Sequence, residues 1–183
     1  MLQLPHTALS IWVEKQILRL GDAASWIWLL LLIIIVLNVV MRYLFGLGRI
    51  EFEEIQWHLY AIGFLLGISY AVVSDSHIRV DVLRERLPVQ LQAWVELYGT
   101  IILLLPFIAL VLYGSIPFIS YSFATGEISE SPGGLPYRWL IKSFLAVGFI
   151  LLLVVTLSRL SRVWCFLFGW PRSLVPASED EGG

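Results

Sequence analysis

The sequence predicts an all-α integral membrane protein, four transmembrane helices with short interfacial amphipathic helices, and three observations carry that prediction. The 183 residues are 58% hydrophobic with a mean hydropathy of +0.83, more apolar than a water-soluble domain of this size needs for its core. Four segments, at 23–41, 55–74, 97–119 and 139–158, meet the roughly 20 apolar residues that cross a hydrocarbon core of about 30 Å. Runs such as Leu29 to Val36 are continuously apolar, whereas a membrane β-barrel shows alternating segments of about ten residues.

Residues 1–22 are expected to form a cytoplasmic interfacial helix. Leu9, Val13, Ile17 and Leu20 recur at helical spacing, with Glu14, Lys15 and Arg19 available to the other face, the pattern of a helix lying on a membrane surface. Asp22 is expected to end that helix or cap the next. Span one then runs from Ala23 to Met41, with Trp26 and Trp28 at one end and Arg42 and Tyr43 at the other, as interfacial anchoring predicts. Asn38 is its strongly polar member, placed to bond a neighbouring helix or to reach headgroup water.

Span two follows a carboxylate cluster. Glu51, Glu53 and Glu54 precede a stretch from Ile55 to Ser74 with no Asp, Glu, Lys or Arg, and Arg79, Arg84 and Arg86 follow it. The acids suit the first turn of a helix, where the positive dipole end favours carboxylates by about 0.3–1 kcal/mol each; Arg42 and Arg49 are near enough to pair with them. Gly63, Gly67 and Ala71 form a small-residue stripe at i, i+4 and i+8, a packing face whose partner is another helix of this chain or of a second protein. The segment 78–87 reads as a basic element at the interface, closed by Pro88.

Span three lies in an uncharged run from Leu97 to Gly126, longer than a bilayer needs. Pro106 is expected to kink it and Pro117 to loosen its outer end, because each removes a helix hydrogen bond. The connection 120–138 holds Pro132, Gly133, Gly134 and Pro136 and should form a turn-rich cap. Arg138 and Lys142 begin span four at i, i+4, both able to snorkel outward. The spans and connections make one membrane domain over 23–165. Residues 166–183, ending in Glu179, Asp180 and Glu181, read as a disordered cytoplasmic tail.

Charge orients the chain. With alternating sides, one side holds Lys15, Arg19, Arg79, Arg84, Arg86, Arg159, Arg162 and Arg172, and the other Arg42, Arg49, Arg138 and Lys142. The positive-inside tendency puts both termini in the cytoplasm. The first span is too long for a signal-peptide core and is expected to remain as an anchor. The lone Cys165 allows no intrachain disulfide and reads as a small hydrophobe. No basic surface suits nucleic acid.

Chemistry is sparse. No ionisable group falls at mid-span, where such residues are costly and mark transport or catalytic sites. His58 is the only histidine in a span, and His6 and His77 lie off the spans, so a bis-histidine haem is not expected. Glu51, Glu54 and His58 share a helical face, but the di-metal bundle pattern needs Glu-x-x-His twice. No nucleophile with its base, P-loop or dinucleotide fingerprint is present; catalytic, cofactor-binding and metal residues are therefore assigned to none. The residues by themselves lead to a small, non-catalytic four-span subunit, with a membrane anchor for a redox or other enzyme complex, or a freestanding channel, as other classes of that shape.

Residues 42–88 resemble one family. Arg42-Tyr43 closes span one, the Glu53-Glu54 pair opens span two, Trp57 follows, then GFLLGISYA at 63–71, and His77-Ile78-Arg79-Val80-Asp81 before Leu87-Pro88. This order resembles the small membrane (DctQ-type) subunit of tripartite ATP-independent periplasmic, or TRAP, transporters, with the four-span outline extending the resemblance over about 20–165. The resemblance implies a bacterial inner-membrane protein that scaffolds a large multi-span permease subunit. That subunit would carry a small organic acid inward with sodium, the acid being delivered by a periplasmic solute-binding protein. It implies partner or orientation roles for Arg42, Glu53, Glu54, Trp57, Gly63, Gly67, Arg79 and Asp81.

Overall fold

The computed structural model describes residues 4–74 and 87–170. Five α-helices account for most of them: α1 (Ala8–Leu44), α2 (Ile50–Val73), α3 (Val89–Gly99), α4 (Leu105–Ala124) and α5 (Arg138–Phe168). A π turn at Thr100–Leu104 joins α3 to α4. Four helical rods are long and apolar enough to cross a membrane: α1, α2, α3 through α4, and α5. The predicted interfacial element at 78–87 and the tail beyond 170 lie outside the described residues.

In α1 the expected break at Asp22 does not occur. The helix starts at a capping box, where the Thr7 hydroxyl accepts from the Ser10 N–H and the Ser10 hydroxyl oxygen accepts from the Thr7 N–H, and continues unbroken through Gly21 and Asp22 to Leu44. A glycine inside a helix costs roughly 1 kcal/mol. Here it brings α1 against α2, since a Cβ on Gly21 would lie 2.0 Å from Cδ2 of Tyr70. Val13 and Ile17 of the predicted membrane-facing stripe are instead buried with Val155, against Val72, Val73 and Leu151. Protein, not lipid, covers that part of the stripe, because α1 stays upright and carries it down the bundle.

Pro106 is accommodated by winding rather than by a free kink. Its ring clashes with the carbonyl four residues earlier and it has no N–H to donate; the π turn before it widens the helix, and the Leu105 N–H reaches back to the Thr100 carbonyl. Beyond Pro117 the helix goes on to Ala124, so Pro117 does not open the end. The rod of α3 through α4 spans 36 residues, about 54 Å at the helical rise, well beyond the hydrocarbon thickness.

The fourth span is central: α5 packs against α1, α2, α3 and α4, and its apolar window is 28% buried against 11% for each of the other three. Gly148 makes this possible, since a Cβ there would sit 2.9 Å from Leu65 Cβ and 3.1 Å from the Leu65 carbonyl oxygen. α2 and α5 therefore meet almost backbone to backbone. The Gly63–Gly67 stripe divides. Gly63 faces Trp28 and Ile27 of α1, whereas nothing lies within 4 Å of a Cβ on Gly67. Asn38 is 9% exposed and its Oδ1 bonds no described residue, so among the described residues the expected bond to a neighbouring helix is not made at that atom.

Candidate functional site

Two polar constellations sit at opposite ends of the bundle. At the loop end, α2 begins after Arg49 and carries Glu51 and Glu53 in its first turn, the placement a helix dipole favours. Glu53 pairs with Arg42 at the end of α1, as sequence proximity predicts. Glu54 turns the other way, into the 125–137 connection. Its carboxylate accepts from the Ser129 hydroxyl and, at 2.6 Å, from the Leu135 N–H. The connection is a folded cap. The Ser129 N–H donates to the Leu135 carbonyl and the Gly134 N–H to the Ser131 carbonyl. Gly134 fits because a Cβ would lie 2.3 Å from that of Ser129 and 2.9 Å from Glu54 Oε1.

The far side of the cap is held by charge. Lys142 pairs with Glu127 and lies over the Phe118 ring, 4.1 Å from its centroid. Its ammonium thus reaches a carboxylate of the connection, with a ring face beneath it. The hydrogen bond from Lys142 holds the Glu127 carboxyl below its ordinary value of 4.5. A shallow cleft of about 290 Å³ lies between α2 and the cap, with Glu53, Glu54, Trp57, His58, Ser131 and Arg138 in its walls. His58 spends Nδ1 on the Glu54 carbonyl, 2.5 Å away, and among the described residues no group of His, Cys, Asp and Glu side chains could hold a metal ion.

At the other end, residues distant in sequence converge on α5. Arg159 pairs with Glu96 of α3. Arg162 bonds Glu14 of α1 at 2.7 Å, the Leu4 carbonyl at 3.0 Å and the Pro5 carbonyl at 3.3 Å. The Thr7 and Ser161 hydroxyls are 3.2 Å apart. Leu4, Ala93, Leu97 and Val163 form a buried cluster beside these contacts, and Cys165 is buried on the same stretch of α5, like a small hydrophobe. The start of α1 and the end of α5 thus lie at the same end.

The described ion pairs therefore occupy the two ends, and the stretches between them, 23–41, 55–73, 100–124 and 143–158, contain no Asp, Glu, Lys or Arg. Over residues 31–166 the chain matches the family described as tripartite ATP-independent periplasmic transporters, DctQ component. The chain belongs to that family. It is a small membrane subunit of the TRAP type, a multi-pass transporter component. A comparison with individually curated proteins finds no match.

Of the residues that the TRAP resemblance singles out, Arg42 and Glu53 are brought together, Glu54 clamps the cap, and Trp57 stands exposed on the same helix. Gly63 is used inside the bundle and Gly67 is open; Arg79 and Asp81 lie outside the described residues. Ser129, Leu135, Glu14, Glu96, Arg159 and Arg162 were not singled out as contacts. Separations of 63 to 158 residues between partners leave no local signal to read.

Proposed function

We propose that this TRAP-type small subunit scaffolds a large multi-span permease subunit in a bacterial inner membrane. The large subunit would drive uptake of a small organic acid with sodium, the acid arriving on a periplasmic solute-binding protein. The observation that carries the scaffold reading is the segregation of charge to the two ends of the bundle. A protein that moved an anion and sodium by itself would be expected to carry charged groups near mid-membrane, and the described spans hold no Asp, Glu, Lys or Arg there. Scaffolding needs instead rigid ends and an open helix face. The Glu54-clamped cap and the Arg159–Arg162 cluster supply the first, and the open Gly67 side of α2 the second.

In this reading both termini are cytoplasmic, in line with the eight-to-four excess of basic residues on that side. Arg42, Glu53, Glu54, Trp57, Arg79 and Asp81 orient the subunit and its contacts instead of binding solute. The test is affinity purification from native membranes with uptake measured on deletion. Recovery with a large multi-span partner and loss of uptake are expected. Recovery alone, with uptake intact, defeats the proposal.

A further inference from the structure

The π turn before Pro106 leaves a polar gap in span three. In an α-helix the Leu105 N–H would serve the Ile101 carbonyl, but here it donates to the Thr100 carbonyl. The next donor in line belongs to Pro106, which has no N–H. The Ile101 carbonyl is thereby passed over by its own helix, and no described side chain donates to it. On the same turn the Thr100 hydroxyl bonds no described residue.

The gap lies inside the apolar part of the span. Glu96, which pairs with Arg159, stands five residues before Ile101, about 7.5 Å away at the helical rise, and residues 100–124 carry no Asp, Glu, Lys or Arg. Acyl chains have no donor to offer there. An unsatisfied backbone group costs several kcal/mol in hydrocarbon, and broken membrane helices are tolerated where a neighbour satisfies the freed groups. No helix of the described residues covers this turn: Ile101, Ile102 and Leu103 are 41%, 61% and 71% exposed.

We propose that a transmembrane helix of the large permease subunit docks on this π turn through a carboxamide side chain, Asn or Gln. Its NH2 group donates to the Ile101 carbonyl and its oxygen accepts from the Thr100 hydroxyl. The choice of side chain follows from charge complementarity. The gap presents the negative end of a carbonyl dipole beside a hydroxyl hydrogen, and a carboxamide carries both opposite ends on separate atoms with no net charge. Lys or Arg would bring an unmatched charge to a depth where charge is costly, and a hydroxyl must meet both groups through one oxygen. The identity of the partner rests on the scaffold reading; the gap itself does not.

The test is re-binding of the full-length chain, in lipid nanodiscs, to the large subunit that co-purifies with it, and a parallel sample carries a photocrosslinker at position Leu103. Thr100→Val removes the hydroxyl at nearly constant volume and should weaken binding about three- to tenfold, the worth of a hydrogen bond between membrane helices. Thr100→Ser should bind like the parent. Pro106→Ala returns an N–H to the helix, so it should weaken binding by a similar factor while raising the melting temperature of the isolated chain. The crosslinked peptide should be a spanning segment of the large subunit that contains Asn or Gln. Unchanged binding in Thr100→Val or in Pro106→Ala, with the large subunit recovered, overturns this contact and leaves the scaffold reading standing. So does a crosslink to a second copy of the chain. Failure to recover any large subunit, with uptake intact on deletion, defeats the scaffold reading and this contact with it.

Discussion

Glu54 and Leu135 are 81 residues apart in the chain, yet the Leu135 N–H reaches the Glu54 carboxylate at 2.6 Å. With the Ser129 hydroxyl on the other carboxylate oxygen, this ties the connection before α5 to the beginning of α2, just past its first turn. Glu54→Ala should release the cap at a cost of about 1.5–3 kcal/mol, the value of hydrogen bonds to a charged group. Limited proteolysis at the Gly133–Gly134 turn should become faster. Glu53→Gln, which removes only an exposed pair with Arg42, should change stability by less than about 1 kcal/mol, and cleavage as fast as in Glu54→Ala would refute the distinction.

The two glycines facing different neighbours should respond differently. Gly148→Ala puts a methyl against the Leu65 backbone and should destabilise the bundle by about 1–3 kcal/mol, measured by thermal melting in detergent. Gly67→Ala meets open space and should be neutral or slightly stabilising through helix propensity. Gly67→Leu should leave the isolated chain folded while weakening recovery of the large partner. Undiminished recovery would remove that face from the proposed interface.

Acid should loosen the far side of the cap through Glu127. Its folded-state pKa lies below 4.5 because Lys142 hydrogen-bonds the ionised form, whereas the unfolded chain titrates near the ordinary carboxylate value. The stabilisation is therefore fully present above that value and is lost as pH falls through the lower folded pKa. Melting temperature followed from pH 6 to 3 should drop less steeply in Glu127→Gln than in the parent. Identical slopes would show that the Lys142 pair does not contribute.

Arg162 links α5 to two backbone carbonyls and a carboxylate near the start of the chain. Arg162→Lys keeps the charge but cannot hold three acceptors with a planar fork. It should cost about 1–2 kcal/mol and expose the segment before Thr7 to aminopeptidase or protease. An unchanged cleavage rate would mean that the capping box alone holds this segment.

Tyr137 precedes α5 with a φ of +64°, a left-handed conformation that costs a residue with a Cβ roughly 1–2 kcal/mol, and its ring is largely exposed. Tyr137→Gly should therefore raise the melting temperature of the purified chain. A lower one would show that the ring contributes more than the strain costs.

How much could be read in advance follows from range. The first-turn acids of α2 and the Arg42–Glu53 pair were legible because a helix start and an 11-residue separation are local matters. The break expected at Asp22 failed because a capping residue read locally omits Tyr70, whose ring lies against Gly21 with no room for a side chain there. The lipid-facing role expected of Val13 and Ile17 failed for the same reason, and the carboxylate that Lys142 meets was equally out of view. In both places the partner is a distant part of the chain that no spacing rule names.

The sequence by itself determined the class, four apolar spans with charge confined to their ends, because hydrocarbon thickness and the cost of burying charge act on every segment separately. Only the tertiary structure decided that α5 is the hub, that Gly148 rather than Gly67 is the close approach, and that Glu54 holds a cap while Arg162 holds the beginning of the chain. Those outcomes depend on which surfaces meet across many tens of residues, and lipid, being as apolar as the side chains it touches, leaves no local mark in the sequence to distinguish a face that meets protein from one that meets the bilayer.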